Sequence, residues 1–126
     1  MAAPGPHFIV VDDDRDMRNL LRRVVWRQFP SATISEASDG QHALEKFEAG
    51  GADVVVVDHL MPTLDGVQFV RALRSRNSTI PLVMVSSNPG VKDEALAAGA
   101  NYFVDKSRLI AGLIEAFGTL FPATKA

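Results

Sequence analysis

Four consecutive valines followed by an aspartate constrain this chain more than any other feature of its sequence; they occupy Val54–Val57 and Asp58. Valine is β-branched and favours extended backbone, and successive side chains of a strand point to opposite faces of its sheet. A strand that is apolar on both faces must be covered on both, as in a parallel sheet with helices on either side. The run therefore predicts a buried parallel strand with Asp58 at its carboxyl end.

Other short apolar runs recur at fairly even intervals along the chain: Phe8–Val11, Ala32–Ser35, Leu82–Val85 and Tyr102–Val104. Between them, apolar residues follow the spacing of amphipathic helices. These patterns predict a helix between a cap at Asp14 and a stop at Pro30, and others over about Gln41–Ala49, Val67–Arg74, Lys92–Ala98 and Arg108–Leu120. The alternation of strands and helices predicts an α/β fold with right-handed crossovers.

The length and composition fit one domain and exclude several kinds of site. We expect a disordered lead-in at 1–7, a domain at 8–121 and a tail at 122–126 of the 126 residues. Because the chain has no cysteine, disulfide frameworks, thiolate metal sites and cysteine nucleophiles are excluded. The lack of cysteine is compatible with the reducing cytoplasm, which is the location we expect.

Charge and hydropathy argue against nucleic-acid and membrane partners. The formal net charge is -2, which gives no general basic field for nucleic acid. No apolar run approaches the roughly 20 residues that span a bilayer, and the start of the chain does not resemble a signal peptide. The arginines within Arg15–Arg27 have two interpretations: a solvated helix face, or a docking surface for an acidic partner.

Polar side chains follow four of the predicted strands, at the edge where ligands bind in open α/β sheets. They are Asp12, Asp13 and Asp14 after the first strand, Asp58 after the third, Ser86 and Ser87 after the fourth, and Lys106 after the fifth. The second strand contributes nothing distinctive, and we interpret it as an edge strand away from the site.

These side chains together have the chemistry of a phosphoryl-transfer site. Several carboxylates at one edge repel each other, and a hard divalent cation such as Mg²⁺ removes that conflict. A lysine supplies a point charge for a phosphate oxygen, and a serine hydroxyl can hydrogen-bond another. Alone, Asp58 is more commonly a structural helix cap; the coincidence of all these groups at one edge is what favours phosphoryl transfer to its carboxylate.

Several motifs together resemble one known family. They are Ile9-Val-Val-Asp12-Asp13-Asp14, Asp58-His-Leu-Met61-Pro62-Thr-Leu-Asp65-Gly66, Val85-Ser86-Ser87 and Ala98-Gly99-Ala100-Asn-Tyr-Phe103-Val-Asp-Lys106. Over roughly Phe8–Phe121 the chain resembles the receiver domain of bacterial two-component response regulators, of the CheY type. The resemblance implies a doubly wound (βα)5 fold, with a five-stranded parallel sheet in the order 2-1-3-4-5 and helices on both faces.

The resemblance also implies a role for each residue of the site. Asp58 would be the phosphoacceptor. Mg²⁺ would be bound by Asp13 directly, by Asp12 mainly through water, and by Asp58 and the backbone carbonyl of Leu60. Ser86 and Lys106 would hold the phosphoryl oxygens, and Ser86 and Phe103 would form the switch.

The implied function is that of a signalling protein and not of an enzyme that acts on other molecules. A histidine kinase or histidine phosphotransfer protein would be the donor, and the chain would catalyse its own phosphorylation and dephosphorylation. The receiver would signal to an unknown downstream protein, as a monomer or as a phosphorylation-dependent dimer. The first helix, with Arg18 and Arg22, is a candidate surface for docking the kinase.

Departures from the family pattern leave alternatives open. Ser107 stands where many receivers have proline, and we expect it to cap the last helix. Receivers joined to DNA-binding output domains often have this Lys-Ser pair, so the chain could be part of a longer regulator. A receiver fold that serves only as a non-switching interaction module is a second alternative. An aspartyl phosphatase is weaker, because Leu60 stands where such enzymes usually carry a second aspartate.

Two neighbouring side chains have simpler interpretations than a role in the chemistry. His59, directly after Asp58, is expected at the solvent-exposed rim, because imidazole is a poorer Mg²⁺ ligand than oxygen. Trp26 is expected to pack near the end of the first helix.

Overall fold

All the predicted strands and helices are present in the computed structural model, which describes residues 5–61, 64–76 and 78–121. The strands are β1 His7–Val11, β2 Thr33–Ala37, β3 Val54–Asp58, β4 Leu82–Ser86 and β5 Tyr102–Asp105. The helices are α1 Arg15–Gln28, α2 Gly40–Gly50, α3 Gly66–Ser75, α4 Lys92–Ala98 and α5 Leu109–Leu120. Short 3-10 helices, Pro89–Val91 and Lys106–Arg108, precede α4 and α5.

The five strands form one parallel sheet in the order β2-β1-β3-β4-β5, as the resemblance implies. β3 is buried along its whole length and lies between β1 and β4. In the register of the sheet, Val11 pairs with Val57 and Asp58 pairs with Val85. The carboxyl ends of these strands therefore lie side by side, and the residues that follow them meet at one edge.

The valine run divides the core into two layers. Val55 and Val57 belong to the cluster under α2, α3 and α4, together with Phe69, Leu73 and other buried residues. Val54 and Val56 belong to the cluster under α1 and α5 on the opposite face. Removing a valine from water contributes roughly 1.5–3 kcal/mol, so each layer depends on this strand. The alternation explains why the run has no polar position before Asp58.

Short polar side chains begin most of the helices. Asp14 caps α1 as predicted, and Asp39 caps α2, each by accepting a hydrogen bond from a backbone N–H of the first turn. At the start of α3, Asp65 and Gln68 form a reciprocal capping box. This box fixes where the chain turns back after the loop that follows Asp58.

The predicted cap at Ser107 is wrong. Asp105 instead caps the preceding 3-10 helix, because its carboxylate accepts a hydrogen bond from the backbone N–H of Ser107 at 2.9 Å, and α5 itself begins without a side-chain cap. This hydrogen bond lowers the pKa of the Asp105 carboxyl. The residues after Lys106 form a turn of 3-10 helix before α5 begins, so Ser107 lies inside that turn and not at its start.

The described part of the chain begins before the predicted lead-in ends. β1 starts at His7, whose backbone N–H donates to Asp53 at 2.8 Å and whose ring Nε2 lies 2.8 Å from the Ser35 hydroxyl. Residues 1–4 of the predicted lead-in and 122–126 of the predicted tail lie outside the described ranges. Within those ranges, no helix has the length and hydropathy needed to cross a membrane.

Candidate functional site

Three carboxylates converge at the carboxyl edge of the sheet. Asp12 follows β1, Asp58 ends β3, and Asp13 stands beside Asp12. One oxygen from each lies within 4.8 Å of the others. Asp12 and Asp58 are only 1% and 5% exposed, whereas Asp13 faces solvent. Buried like charges so close together call for a positive partner.

Asp12 has a buried carboxylate oxygen that is positioned to bind a cation. Its Oδ1 accepts a hydrogen bond from the backbone N–H of Asp14 at 2.9 Å, but its buried Oδ2 has no hydrogen-bond partner among the described residues. Burial raises the pKa of Asp12 to about 6; the Asp14 N–H and Lys106 lower it, and the charges of Asp58 and Asp13 raise it further. An unpaired carboxylate oxygen beside two more carboxylates is a donor set that suits Mg²⁺. The residues present therefore fit a divalent cation.

The raised pKa of Asp12 makes the stability of the metal-free protein depend on pH. The folded protein binds this proton more tightly than the unfolded chain, so the free energy of unfolding falls as pH rises from about 3.8 to about 6. We expect Asp12→Asn to remove a penalty on the order of 2 kcal/mol above that interval, because a neutral amide places no charge in the buried position.

Urea unfolding in EDTA, on both sides of the interval, measures the difference between wild type and Asp12→Asn. The variant should be the more stable protein only on the alkaline side. An equal difference at both pH values would show that the Asp12 carboxylate carries no such penalty.

Lys106 pairs directly with Asp58. Its Nζ lies 2.9 Å from Asp58 Oδ1, and the two side chains are 26% and 7% exposed. Burial by itself lowers the pKa of Lys106, but the hydrogen bond to Asp58 and the charges of Asp58, Asp12 and Asp13 outweigh it, so the pKa is raised. The ammonium therefore stays charged at neutral pH, with a point charge beside the carboxylate.

Ser86 and Phe103, the residues expected to form a switch, lie on the neighbouring strands β4 and β5. Ser86 ends β4, is 3% exposed, and accepts a hydrogen bond from the backbone N–H of Asn88 at 3.0 Å. Its hydroxyl can still donate, because accepting one bond leaves the O–H hydrogen unused. Phe103 is half-buried against the α2–α4 core layer and pairs with Met84, two residues before Ser86.

The loop after Asp58 departs from expectation at His59. The predicted rim exposure is wrong, because the residue is half-buried and its Nδ1 is buried without a hydrogen-bond partner among the described residues. Its backbone N–H donates to Val85 at 3.1 Å, and its carbonyl accepts from Gly66 at 2.8 Å. Leu60 is 67% exposed beside the site, and residues 62 and 63 of the motif lie outside the described ranges.

Glycine is required at position 66 by a close approach between two segments of backbone. A Cβ at this residue would lie 2.5 Å from the carbonyl oxygen of Asp58 and 2.9 Å from the Cα of His59. Both neighbours are backbone atoms, so no side-chain rotation relieves the contact. The Asp65-Gly66 pair in the sequence indicates a turn, but the close approach of α3 to the end of β3 is visible only in three dimensions.

Two side chains outside the predicted cation and phosphate set support the acidic loop: Arg18, which sequence analysis placed only on a docking surface, and Glu36, which it did not single out. Arg18 of α1 donates from Nη1 to the carbonyl oxygen of Asp12 at 2.8 Å and from Nε to Glu36 at 3.1 Å. Glu36 lies on β2, which is an edge strand as predicted, and it acts on the acidic loop through Arg18. The sequence signal was a lone glutamate in an otherwise uncharged strand and two arginines four residues apart on the first helix.

The comparison with known proteins decides the family. The family model for the response regulator receiver domain matches residues 8–117. The chain belongs to this family. It is 34% identical over 120 residues to the response regulator MprA of Mycobacterium ulcerans, a match that covers 94% of this chain and 51% of that protein. This receiver thus spans about half the length of the curated relatives it matches.

Solved structures agree with that assignment. The receiver domain of the Francisella response regulator 1452 is 29% identical with a TM-score of 0.82, covering 95% of this chain and 99% of that one. The response regulator TrrA from Thermotoga maritima is 26% identical with a TM-score of 0.81, covering 90% and 97% respectively. That protein was solved in complex with Mg²⁺-BeF. The fold and the family predicted from sequence are therefore confirmed.

Proposed function

We propose that this receiver accepts a phosphoryl group on Asp58, in a Mg²⁺-dependent reaction, from a phosphohistidine of a histidine kinase or phosphotransfer protein. The observation that carries the proposal is the placement of Asp58, with its carboxylate among the oxygens of Asp12 and Asp13 and 2.9 Å from the Lys106 ammonium. A carboxylate held between a cation site and a lysine can attack phosphorus and have the product's charge neutralised.

The residues of the site divide the transfer between them. A carboxylate oxygen of Asp58 forms a bond to phosphorus while the P–N bond of the phosphohistidine breaks, and the leaving imidazole takes up a proton. Lys106, already charged beside Asp58, stabilises the negative oxygens of the phosphoryl group. Asp12, Asp13, Asp58 and the Leu60 carbonyl would hold the cation, which supplies charge neutralisation at the phosphoryl oxygens when bound. The same pocket serves hydrolysis of the acyl phosphate.

The phosphorylated product would bias the receiver toward a second conformation. Ser86 is placed at the end of β4, where its hydroxyl can donate to a phosphoryl oxygen. Its movement would draw the loop after β4 toward the site and let the half-buried Phe103 turn inward. The proximity of both residues on neighbouring strands supports this coupling, and a downstream protein would recognise the changed face.

The decisive experiment is direct phosphorylation of the isolated protein. Incubation with Mg²⁺ and acetyl phosphate should add one phosphoryl mass in intact-protein mass spectrometry, and EDTA should prevent it. Beryllofluoride with Mg²⁺ should shift the amide NMR signals of the residues after β3 and β4. A protein that gives neither the adduct nor the shifts would be a non-switching interaction module.

We also assign the docking surface for the phosphodonor to the exposed side of α1 and α5, defined here as the α1–α5 groove. Exposed Trp26, Ile110 and Ile114 line this groove, whose volume is about 810 Å³, and Arg23 and Arg27 flank it. The indole Nε1 donates to the carbonyl of Ala32 at 3.0 Å, so Trp26 is held in place but is not a core residue. Exposed apolar side chains with basic neighbours suit an amphipathic helix that carries acidic residues.

The arginines suited to testing this surface are Arg23 and Arg27, because Arg18 and Arg22 already pair with Glu36. We expect the double variant Arg23→Glu, Arg27→Glu to slow transfer from the cognate donor about tenfold or more, since reversed rim charges mainly reduce the association rate. Phosphorylation by acetyl phosphate should be unchanged, and radiolabel transfer at limiting donor concentration measures the difference.

The double variant Arg71→Glu, Lys92→Glu is the matched control, with the same change in net charge at exposed positions of α3 and α4. It should leave transfer from the donor unchanged. Equal slowing in both variants, or equal loss with acetyl phosphate, would contradict a specific docking role for the α1–α5 groove.

A further inference from the structure

The backbone that carries Asp12 and Asp13 is held from two sides. The N–H of Asp12 donates to the carbonyl of Ala37 on β2 at 3.1 Å. Its carbonyl oxygen accepts a hydrogen bond from Arg18 Nη1 at 2.8 Å. That carbonyl belongs to the peptide bond between Asp12 and Asp13. The orientation of this peptide bond therefore also sets the position of the Asp13 backbone, from which the Asp13 carboxylate extends. The loop is thus fixed before any cation binds.

Arg18 is itself fixed by the edge strand. Its Nε lies 3.1 Å from Glu36 Oε1, and the arginine side chain is only 17% exposed. Arg22 lies 3.1 Å from the second oxygen of Glu36, so the carboxylate is shared between two guanidinium groups. Among these arginines, the described hydrogen bonds join only Arg18 to the acidic loop. The rigid fork of its guanidinium lets one side chain bond Glu36 and the Asp12 carbonyl at once.

We propose that Arg18 is a positioning residue for the cation site, and that Glu36 is its anchor. Arg18 orients the Asp12–Asp13 peptide so that both carboxylates face a divalent cation without further rearrangement, and this preorganisation raises Mg²⁺ affinity. The inference rests on the proposed function, because it assigns a role toward the same cation. Through Glu36, β2 would support the cation site although this strand supplies none of the proposed ligands.

The positive charge of Arg18 makes the proposal testable by whether Mg²⁺ binding becomes weaker or tighter when Arg18 is replaced. A guanidinium near the acidic cluster repels a divalent cation, so a role as charge alone predicts tighter Mg²⁺ binding when it is removed. A positioning role predicts weaker binding. A substitution of Arg22 is the control, because Arg22 pairs with Glu36 and not with the Asp12 carbonyl. It removes an ion pair with Glu36 and leaves the contact between Arg18 and Asp12 in place.

The experiment titrates wild type, Arg18→Met, Arg18→Lys and Arg22→Met with Mg²⁺ by calorimetry or NMR, and follows urea unfolding of each in EDTA. We expect Arg18→Met to weaken Mg²⁺ binding about tenfold, in the range of ligand-supporting contacts at metal sites. Arg18→Lys should bind almost as weakly, because an ammonium keeps the charge but not the fork. Arg22→Met should bind Mg²⁺ like the wild type, although it too loses an ion pair with Glu36.

Each outcome decides between the inference and its rivals. Unchanged or tighter Mg²⁺ binding by Arg18→Met, or wild-type binding by Arg18→Lys, would overturn the positioning role but leave the proposed function intact. A wild type that binds no Mg²⁺ would overturn the proposed function and this inference with it. If Arg18→Met does not fold, Glu36→Gln tests the anchor: it should weaken Mg²⁺ binding, and no change would refute the role of Glu36.

Discussion

Asp58→Asn is expected to abolish the phosphoryl adduct that wild type forms with Mg²⁺ and acetyl phosphate. An amide is not a nucleophile toward phosphorus at neutral pH, and it contributes no anionic oxygen to the cation cluster. The substitution keeps the size of the side chain at a position that is 5% exposed. It also preserves an oxygen that can accept the hydrogen bond of Lys106, so the fold should survive. Intact mass spectrometry over a time course measures the loss.

Asp39→Asn is the matched control for that result. Asp39 caps α2, and asparagine serves as a helix cap about as well as aspartate, so the same chemical change there should leave adduct formation unchanged. Circular dichroism of both variants checks that the fold is retained. An adduct of equal yield on Asp58→Asn would place the phosphoacceptor at another residue and contradict the proposed function.

Gly66→Ala is expected to destabilise the receiver more than its size suggests. The added Cβ would lie 2.5 Å from the Asp58 carbonyl oxygen, so the start of α3 and the end of β3 must separate. Overpacking of this kind typically costs about 1–3 kcal/mol, and the gain in helix propensity from glycine to alanine, about 1 kcal/mol, offsets only part of it. We expect the free energy of unfolding to fall by about 2 kcal/mol. Urea unfolding of the metal-free protein measures it.

Gly50→Ala supplies the comparison, because Gly50 also lies in a helix, and a Cβ there meets nothing within 4 Å. That substitution should be neutral or stabilising by up to about 1 kcal/mol, through helix propensity. The separation forced at Gly66 also moves the backbone of Asp58, so Gly66→Ala should form the phosphoryl adduct more slowly, whereas Gly50→Ala should not. Equal stability of the two variants would show that the approach of α3 to β3 is not tight in solution.

The fold was predictable because local patterns carry it. The valine run, the apolar spacing of the helices and the residues at strand ends gave every element and the edge at which the carboxylates meet. Strand order came from the resemblance to a known family, since neither pattern nor composition specifies which strands are neighbours. The residues proposed for the chemistry were named from sequence, because Asp12, Asp13, Asp58, Ser86 and Lys106 lie at the carboxyl ends of strands or just after them.

The supporting residues could not be predicted in the same way. Glu36 bonds Arg18 across 18 positions of the chain, and the contact exists only because β2 lies beside β1. The burial of the His59 ring nitrogen depends on how the loop folds back toward Gly66, which no local pattern describes. The 3-10 helix before α5 is capped by Asp105 and not by Ser107, a difference that only hydrogen-bond geometry reveals.

The division of the core by β3 has a consequence for how such a protein can diversify. The α1–α5 side and the α2–α4 side share almost no buried side chains, because alternate valines belong to separate layers. Under the docking role proposed for the α1–α5 groove, substitutions that refit this groove to a new donor would leave the packing under α2, α3 and α4 largely undisturbed. The edge that carries Asp58 is the element that the two sides of the sheet have in common.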